Sequence, residues 1–170
     1  MKRNADKGSP ILTGIDDKIF FSDISAGPEV PSCGSNSTMS TRPPSPAFAY
    51  AHYYKLLDEQ YPDSRFILNI RNVEDWIESR ARLHHGKVVE GEKRYSGVRT
   101  DQEVFSIWRN HYHSHINDVK SYFKDRAGDL LVFDIDAHSI SKLIKFFEGD
   151  VNLNPKYWKV TNQRGSRKWN

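Results

Sequence analysis

Two short segments, "RFILNI" (Arg65 to Ile70) and "LLVFDI" (Leu130 to Ile135), constrain this chain more than anything else in it. Both are almost continuously apolar rather than alternating, which is the pattern of strands covered on both faces of a parallel sheet. A third run, "KIFF" (Lys18 to Phe21), is bounded like a shorter strand. Parallel strands need a crossover, usually a helix, and helical patterns stand where crossovers would be. "AFAYAHYYKLLDEQYP" sets Phe48, Tyr53 and Leu56 at helical spacing ahead of a stop at Pro62. "DQEVFSIWRNHYHSHINDVKSYFKDRAG" repeats apolar residues at Val104, Ile107, Trp108, Tyr112, Ile116, Val119 and Phe123, and is expected to run on to Gly128. "SISKLIKFFEG" supplies a last short helix. Helix, strand, helix, helix, strand, helix predicts an α/β fold, a small parallel sheet flanked by helices.

A single domain over residues 1–170 is the expectation for this length, with an apolar fraction of 37% on the low side for its size. The remainder goes into polar connections. Residues 25–47 hold most of the prolines and form an irregular Pro/Ser-rich loop, residues 84–100 read as a charged, Gly-interrupted loop, and residues 159–170 as a basic tail. Lys and Arg number 25 against 22 Asp and Glu, a balance that argues against nucleic acid as a partner. The lone Cys33 excludes an internal disulfide. No apolar run is long enough to span a membrane, and no apolar stretch follows the charges of "MKRNADKGSP" as it would in a signal peptide. A cytoplasmic location is expected.

Function enters where "FILNI" stops. Ligands of open parallel sheets gather at the carboxyl ends of strands, and Arg71 occupies that place. Asn72 can cap the helix "VEDWIESRARL", with Asp75 at its third position completing a box-like arrangement. Free N–H groups at a helix start and a guanidinium outline a phosphate site. Ser79, two turns along, can lean back toward it. The competing account is an ordinary strand-to-helix turn whose arginine pairs with Glu74 or Asp75.

The segments "ILTGIDDKIFFSDI", "YYKLLDEQYPDSRFILNIRNVEDWIESRARLHHG", "VFSIWRNHYHSHINDVKSYFKDRAGDLLVFDI" and "KLIKFFEG" come in the order seen in the sulfotransferase family, which this chain resembles from about Pro10 onward. The resemblance implies a P-loop-like fold and transfer of a sulfuryl group from phosphoadenosine phosphosulfate to a hydroxyl acceptor, without a metal. It places Arg71 and Ser79 on the 3′-phosphate of that donor, and Arg164, in "NQR", as a residue closing over the same phosphate. His115, Val119, Tyr122 and Phe123 match the family's helix pattern. One departure matters: the family's opening strand and Gly-rich phosphosulfate loop have no counterpart here, and the chain reads as N-terminally shortened. The alternative function is therefore a catalytically inactive remnant that binds a nucleotide or a protein.

No catalytic base is assigned. Asp23 in "FFSDI" could face an acceptor, but a carboxylate in that place is more often a turn or cap residue. His111 and His115 share a helix face at the spacing of zinc ligands, yet no third ligand stands at useful spacing, so a structural role is expected. His84 and His85 are expected in solvent, and Trp76, Trp108 and Trp158 in the core. An absent neighbouring strand would leave the apolar edge of "FILNI" open to self-association.

Overall fold

The computed structural model describes residues 54–158. "KIFF", Asp23, the 25–47 loop and Arg164 lie outside them. In chain order the elements are α1 (Tyr54–Gln60), β1 (Phe66–Ile70), α2 (Val73–Ala81), α3 (Lys87–Ser96), α4 (Asp101–Tyr122), β2 (Leu130–Asp134) and α5 (Ile140–Phe146), with a 3₁₀ turn at Pro155–Tyr157 after them. The fold is α/β, and among the described residues the sheet is a parallel pair. These elements form two compact units. One holds α1, α2, α3 and most of α4; the other holds β1, the end of α4, β2 and α5.

In the sheet unit the strands pair from Phe66↔Leu130 to Ile70↔Asp134. The Phe66 N–H donates to the Asp129 carbonyl (2.7 Å) at one end, and the Ile135 N–H to the Ile70 carbonyl (3.0 Å) at the other. Backbone groups alternate sides along a strand, so Val132 and Asp134 turn theirs away from β1. Both find side chains there. Lys142 Nζ donates to the Val132 carbonyl (3.1 Å), and the Asp134 N–H donates to His138 Nδ1 (2.8 Å). The outer edge of β2 is thus capped by its own trailing segment, which removes a template for intermolecular pairing. Burial on both faces holds for β2, every residue of which is buried or half-buried. It does not hold for β1: Asn69 is exposed and Ile67 keeps 39% of its surface, so this strand buries only the face of Phe66, Leu68 and Ile70.

Arg65, just ahead of β1, ties the unit together. Its guanidinium donates to the Phe146 carbonyl, pairs with Asp150 (2.8 Å) and rests over the Phe146 ring (5.4 Å). A cation at a helix C-terminus meets the negative end of the dipole. Phe66 packs on Phe123 with ring centroids 5.0 Å apart, joining β1 to the end of α4.

The helical unit is built around Ile77, Val89, Val104 and Trp108, the last with 0% of its surface exposed. Part of this core comes from an unexpected place. The 84–100 segment is not a loop: Lys87–Ser96 is helix α3, entered from Gly86 (φ 81°) and closed by Gly97 (φ 72°), whose N–H donates to the Lys93 carbonyl (2.9 Å). Both glycines occupy the left-handed region that a side chain would strain. Val89 and Glu92 point into the core, and the buried Glu92 carboxylate accepts from the Trp108 indole N–H (3.2 Å) and the Ser96 hydroxyl (2.7 Å).

Helix α4 opens on a reciprocal cap. Glu103 Oε2 accepts from the Thr100 N–H (2.9 Å), the Arg99 N–H (3.1 Å) and the Thr100 hydroxyl (2.8 Å), while the Glu103 N–H donates to Thr100 Oγ1 (3.3 Å). Those donors hold the Glu103 carboxyl below its ordinary pKa. The apolar register of α4 is as expected, with Val104, Trp108 and Val119 buried. The helix stops at Tyr122, short of Gly128, because residues 123–125 turn toward β2.

Candidate functional site

Because β1 and β2 run parallel in register, their carboxyl ends lie side by side at Ile70 and Asp134. The segments leaving the two strands meet there. After β2, Asp134 Oδ1 accepts from the Asp136 N–H (2.9 Å) and the Ala137 N–H (3.3 Å), and the His138 N–H donates to the Asp134 carbonyl (2.9 Å). An aspartate bonding the amide two residues on makes a tight turn. This turn carries Asp136 to the end of β1. There Asp136 Oδ2 lies 3.6 Å from Arg71 Nε and accepts from the Asn72 N–H at 3.4 Å.

Arg71 therefore stands where the sequence placed it, at the carboxyl end of a strand, with Asn72 directly ahead of the first residue of α2. Its carboxylate partner was not foreseen. Glu74, offered by the turn account, has both oxygens on the fork of Arg109 (2.7 and 2.8 Å), an α2–α4 clamp inside the helical unit. That hydrogen bond, with the charges of Arg109 and His113, holds the Glu74 carboxyl below its ordinary value and raises Arg109. Ser79 is exposed on α2 within the helical unit.

Past Asp136 the same segment carries His138 and Lys142 to the outer edge of β2. The His138 Nδ1 accepts the Asp134 N–H. Lys142 Nζ lies 3.3 Å from Nδ1 and 3.1 Å from Nε2. The ring leans on Phe133 with centroids 5.6 Å apart. Arg71 and the Asn72 amide are donors suited to an anion, whereas Asp134 is occupied by its turn and Lys142 by the Val132 carbonyl at the outer edge of β2. The sequence did carry a signal for this cluster. In "DIDAHSISK" an aspartate closes a strand, and His138 and Lys142 come after it at a helical interval.

The other expected residues sort plainly. His84 (φ 50°) and His85 (φ 56°) are exposed, as expected, and form a left-handed turn with Gly86. His115 packs edge-on against Tyr54 (6.1 Å). Among the described residues no three His, Cys, Asp or Glu side chains gather as metal ligands would. Trp108 is buried and Trp76 packs against it (6.4 Å), with the Arg80 guanidinium over both rings. Trp158 is not core: it keeps 46% of its surface and meets Phe133 edge-on (6.1 Å). No described helix is long and apolar enough to cross a membrane.

No family model, curated protein or solved structure matches this chain.

Proposed function

We propose that this chain binds a phosphorylated adenine nucleotide through Arg71 and acts in the cytoplasm as a sulfotransferase-type protein, moving a sulfuryl group from phosphoadenosine phosphosulfate to a hydroxyl acceptor. The observation that carries this reading is the position of Arg71, at the carboxyl end of a parallel strand and separated by Asn72 alone from the first residue of α2. Ordered segment resemblance supplies the donor's identity, and the parallel pair is then part of a P-loop-like sulfotransferase sheet. Arg71 grips the 3′-phosphate in bidentate fashion. The resemblance adds Ser79 and Arg164 as further contacts of that phosphate.

Sulfuryl transfer in this scheme is an in-line displacement. The acceptor oxygen forms its bond to sulfur, the bridging oxygen leaves with the nucleotide bisphosphate, and the acceptor proton passes to a base. Anchoring the 3′-phosphate contributes position, since the nucleotide's remote phosphate fixes where the sulfur lies. A second reading, a module that binds without turnover, is favoured by one observation: a carboxylate of the protein already sits against Arg71.

Calorimetric titration with adenosine 3′,5′-bisphosphate, beside Arg71→Ala, tests the binding step. Binding lost in the variant supports the reading, and no binding by the folded protein, with Asp136 intact or neutralised alike, refutes it. Incubation with phosphoadenosine phosphosulfate and a panel of sugar, phenol and alkyl alcohols then separates the two: sulfated product marks the enzyme, and binding without product marks the module.

A further inference from the structure

Asp136 lies close to both groups that an incoming phosphate would use. One oxygen, Oδ2, lies against the Arg71 Nε and the Asn72 N–H, while the other end of the same turn is pinned by Asp134. Resting on the proposed nucleotide-binding role of Arg71, we infer that Asp136 is a built-in competitor of the anionic ligand, a carboxylate that must leave Arg71 before a phosphate can be gripped.

Three features of the geometry fit a displaceable group better than a structural ion pair. The contacts are long, 3.4 and 3.6 Å, against roughly 2.7–2.9 Å for a well-made charge-assisted bond. A phosphate forked on the guanidinium would bond more closely. The carboxylate is also half in solvent, with 47% of its side chain exposed against 27% for Arg71, so rotation about its own side-chain torsions gives it somewhere to go. Finally, its main chain has no need to move. The Asp136 N–H stays on Asp134 Oδ1 at 2.9 Å whichever way its side chain points. The ion pair thus behaves as a latch at the side-chain level on a fixed turn. It keeps Arg71 compensated in the empty protein and raises the threshold that a ligand's charge must overcome.

The test is calorimetric titration of the full chain with adenosine 3′,5′-bisphosphate for the wild type, Asp136→Asn, Asp136→Glu and Arg71→Ala. Asp125→Asn, a charge removed from an exposed turn in the same unit, controls for net charge. Asn keeps the shape and the acceptor for the Asn72 amide but removes the competing charge. A half-exposed ion pair plus the repulsion of a nearby phosphate predicts binding tightened by roughly fivefold or more in Asp136→Asn, near-wild-type affinity in Asp136→Glu, no change in Asp125→Asn and loss in Arg71→Ala. If the Asn variant fails to give a cooperative melt, Asp136→Ser takes its place with the same expectation. Wild-type binding that depends on Arg71 but is unchanged or weakened in Asp136→Asn overturns the competitor and leaves the site intact. Equal tightening in Asp125→Asn overturns it as a general charge effect. No binding by any folded variant, Asp136→Asn included, overturns the site and the competitor together.

Discussion

Replacing Trp108 tests how the helical unit is held together. Its side chain is fully buried, lies between Trp76 and Phe105 (6.4 and 6.0 Å), sits beneath the Arg80 guanidinium (4.9 Å) and donates to the buried Glu92. Trp108→Ala removes the largest fully buried side chain among the described residues, and large-to-small changes of this kind cost about 3–5 kcal/mol. Trp108→Phe separates the two parts of that loss. A phenyl ring keeps much of the packing but has no N–H, so Glu92 loses one donor and keeps the Ser96 hydroxyl. A hydrogen bond to a charged group contributes about 1.5–3 kcal/mol. The expected order is therefore wild type, then Phe lower by about 2 kcal/mol, then Ala lower by about 4 kcal/mol. Urea unfolding monitored by circular dichroism reads these as shifts of the midpoint at constant slope. If both variants unfold within about 0.5 kcal/mol of wild type, as ordinary surface substitutions do, Trp108 does not organise this core. If Phe costs as much as Ala, the bond to Glu92 outweighs the packing.

The other predictions concern caps and edges. Thr100→Ala removes the hydroxyl partner of Glu103 and is expected to lower the melting temperature by a few degrees, read by differential scanning calorimetry. Glu74 and Glu103 both have carboxyls held below the ordinary value of 4.5 by hydrogen bonds. Their contribution to stability is present above that value and lost as pH falls through the depressed one. The acid side of a stability–pH curve is thus expected to flatten in a Glu74→Gln, Glu103→Gln double variant, and an unchanged acid slope refutes this. His138→Ala uncovers the Asp134 N–H at the outer edge of β2, so sedimentation velocity is expected to show dimers or larger species at concentrations where the wild type shows fewer. Arg65→Ala frees the Phe146 carbonyl and Asp150, and amide exchange is expected to speed up across α5 while α4 stays protected.

The parts of the fold legible in the sequence are those in which one periodicity dominates. The long register of α4 and the apolar core of β2 needed no tertiary information, because every third or fourth residue, or nearly every residue, reported burial. Helix α3 was missed because its charges outnumber its apolar residues. Only Val88 and Val89 are aliphatic there, and a further inward residue is a glutamate, Glu92, which no pattern of hydrophobicity would assign to a core. Its satisfied burial depends on Trp108, sixteen positions away. The Thr100–Glu103 cap, in contrast, is a local T-x-x-E signal that "RTDQE" displayed openly. At the site, the position of Arg71 was legible because a strand end is a local feature. Its partner was not, because Asp136 is sixty-five residues away and reaches Arg71 only through the parallel register of β1 with β2.

That register also ties protection of the sheet to the geometry of the site. Asp134 uses three groups in one turn: its N–H on His138 Nδ1, its carbonyl under the His138 N–H, and Oδ1 under the Asp136 and Ala137 amides. The first closes the edge of β2, and the last aims Asp136 at Arg71. Both hang from the same turn, so a change that opens the turn affects both. Asp134→Asn retains an acceptor for the two amides through its side-chain oxygen, whereas Asp134→Ala retains none. The alanine variant should therefore loosen Asp136 and let His138 swing from the edge together. Self-association and tighter anion binding would then appear in the same protein, where Asp136→Asn shows tighter binding alone.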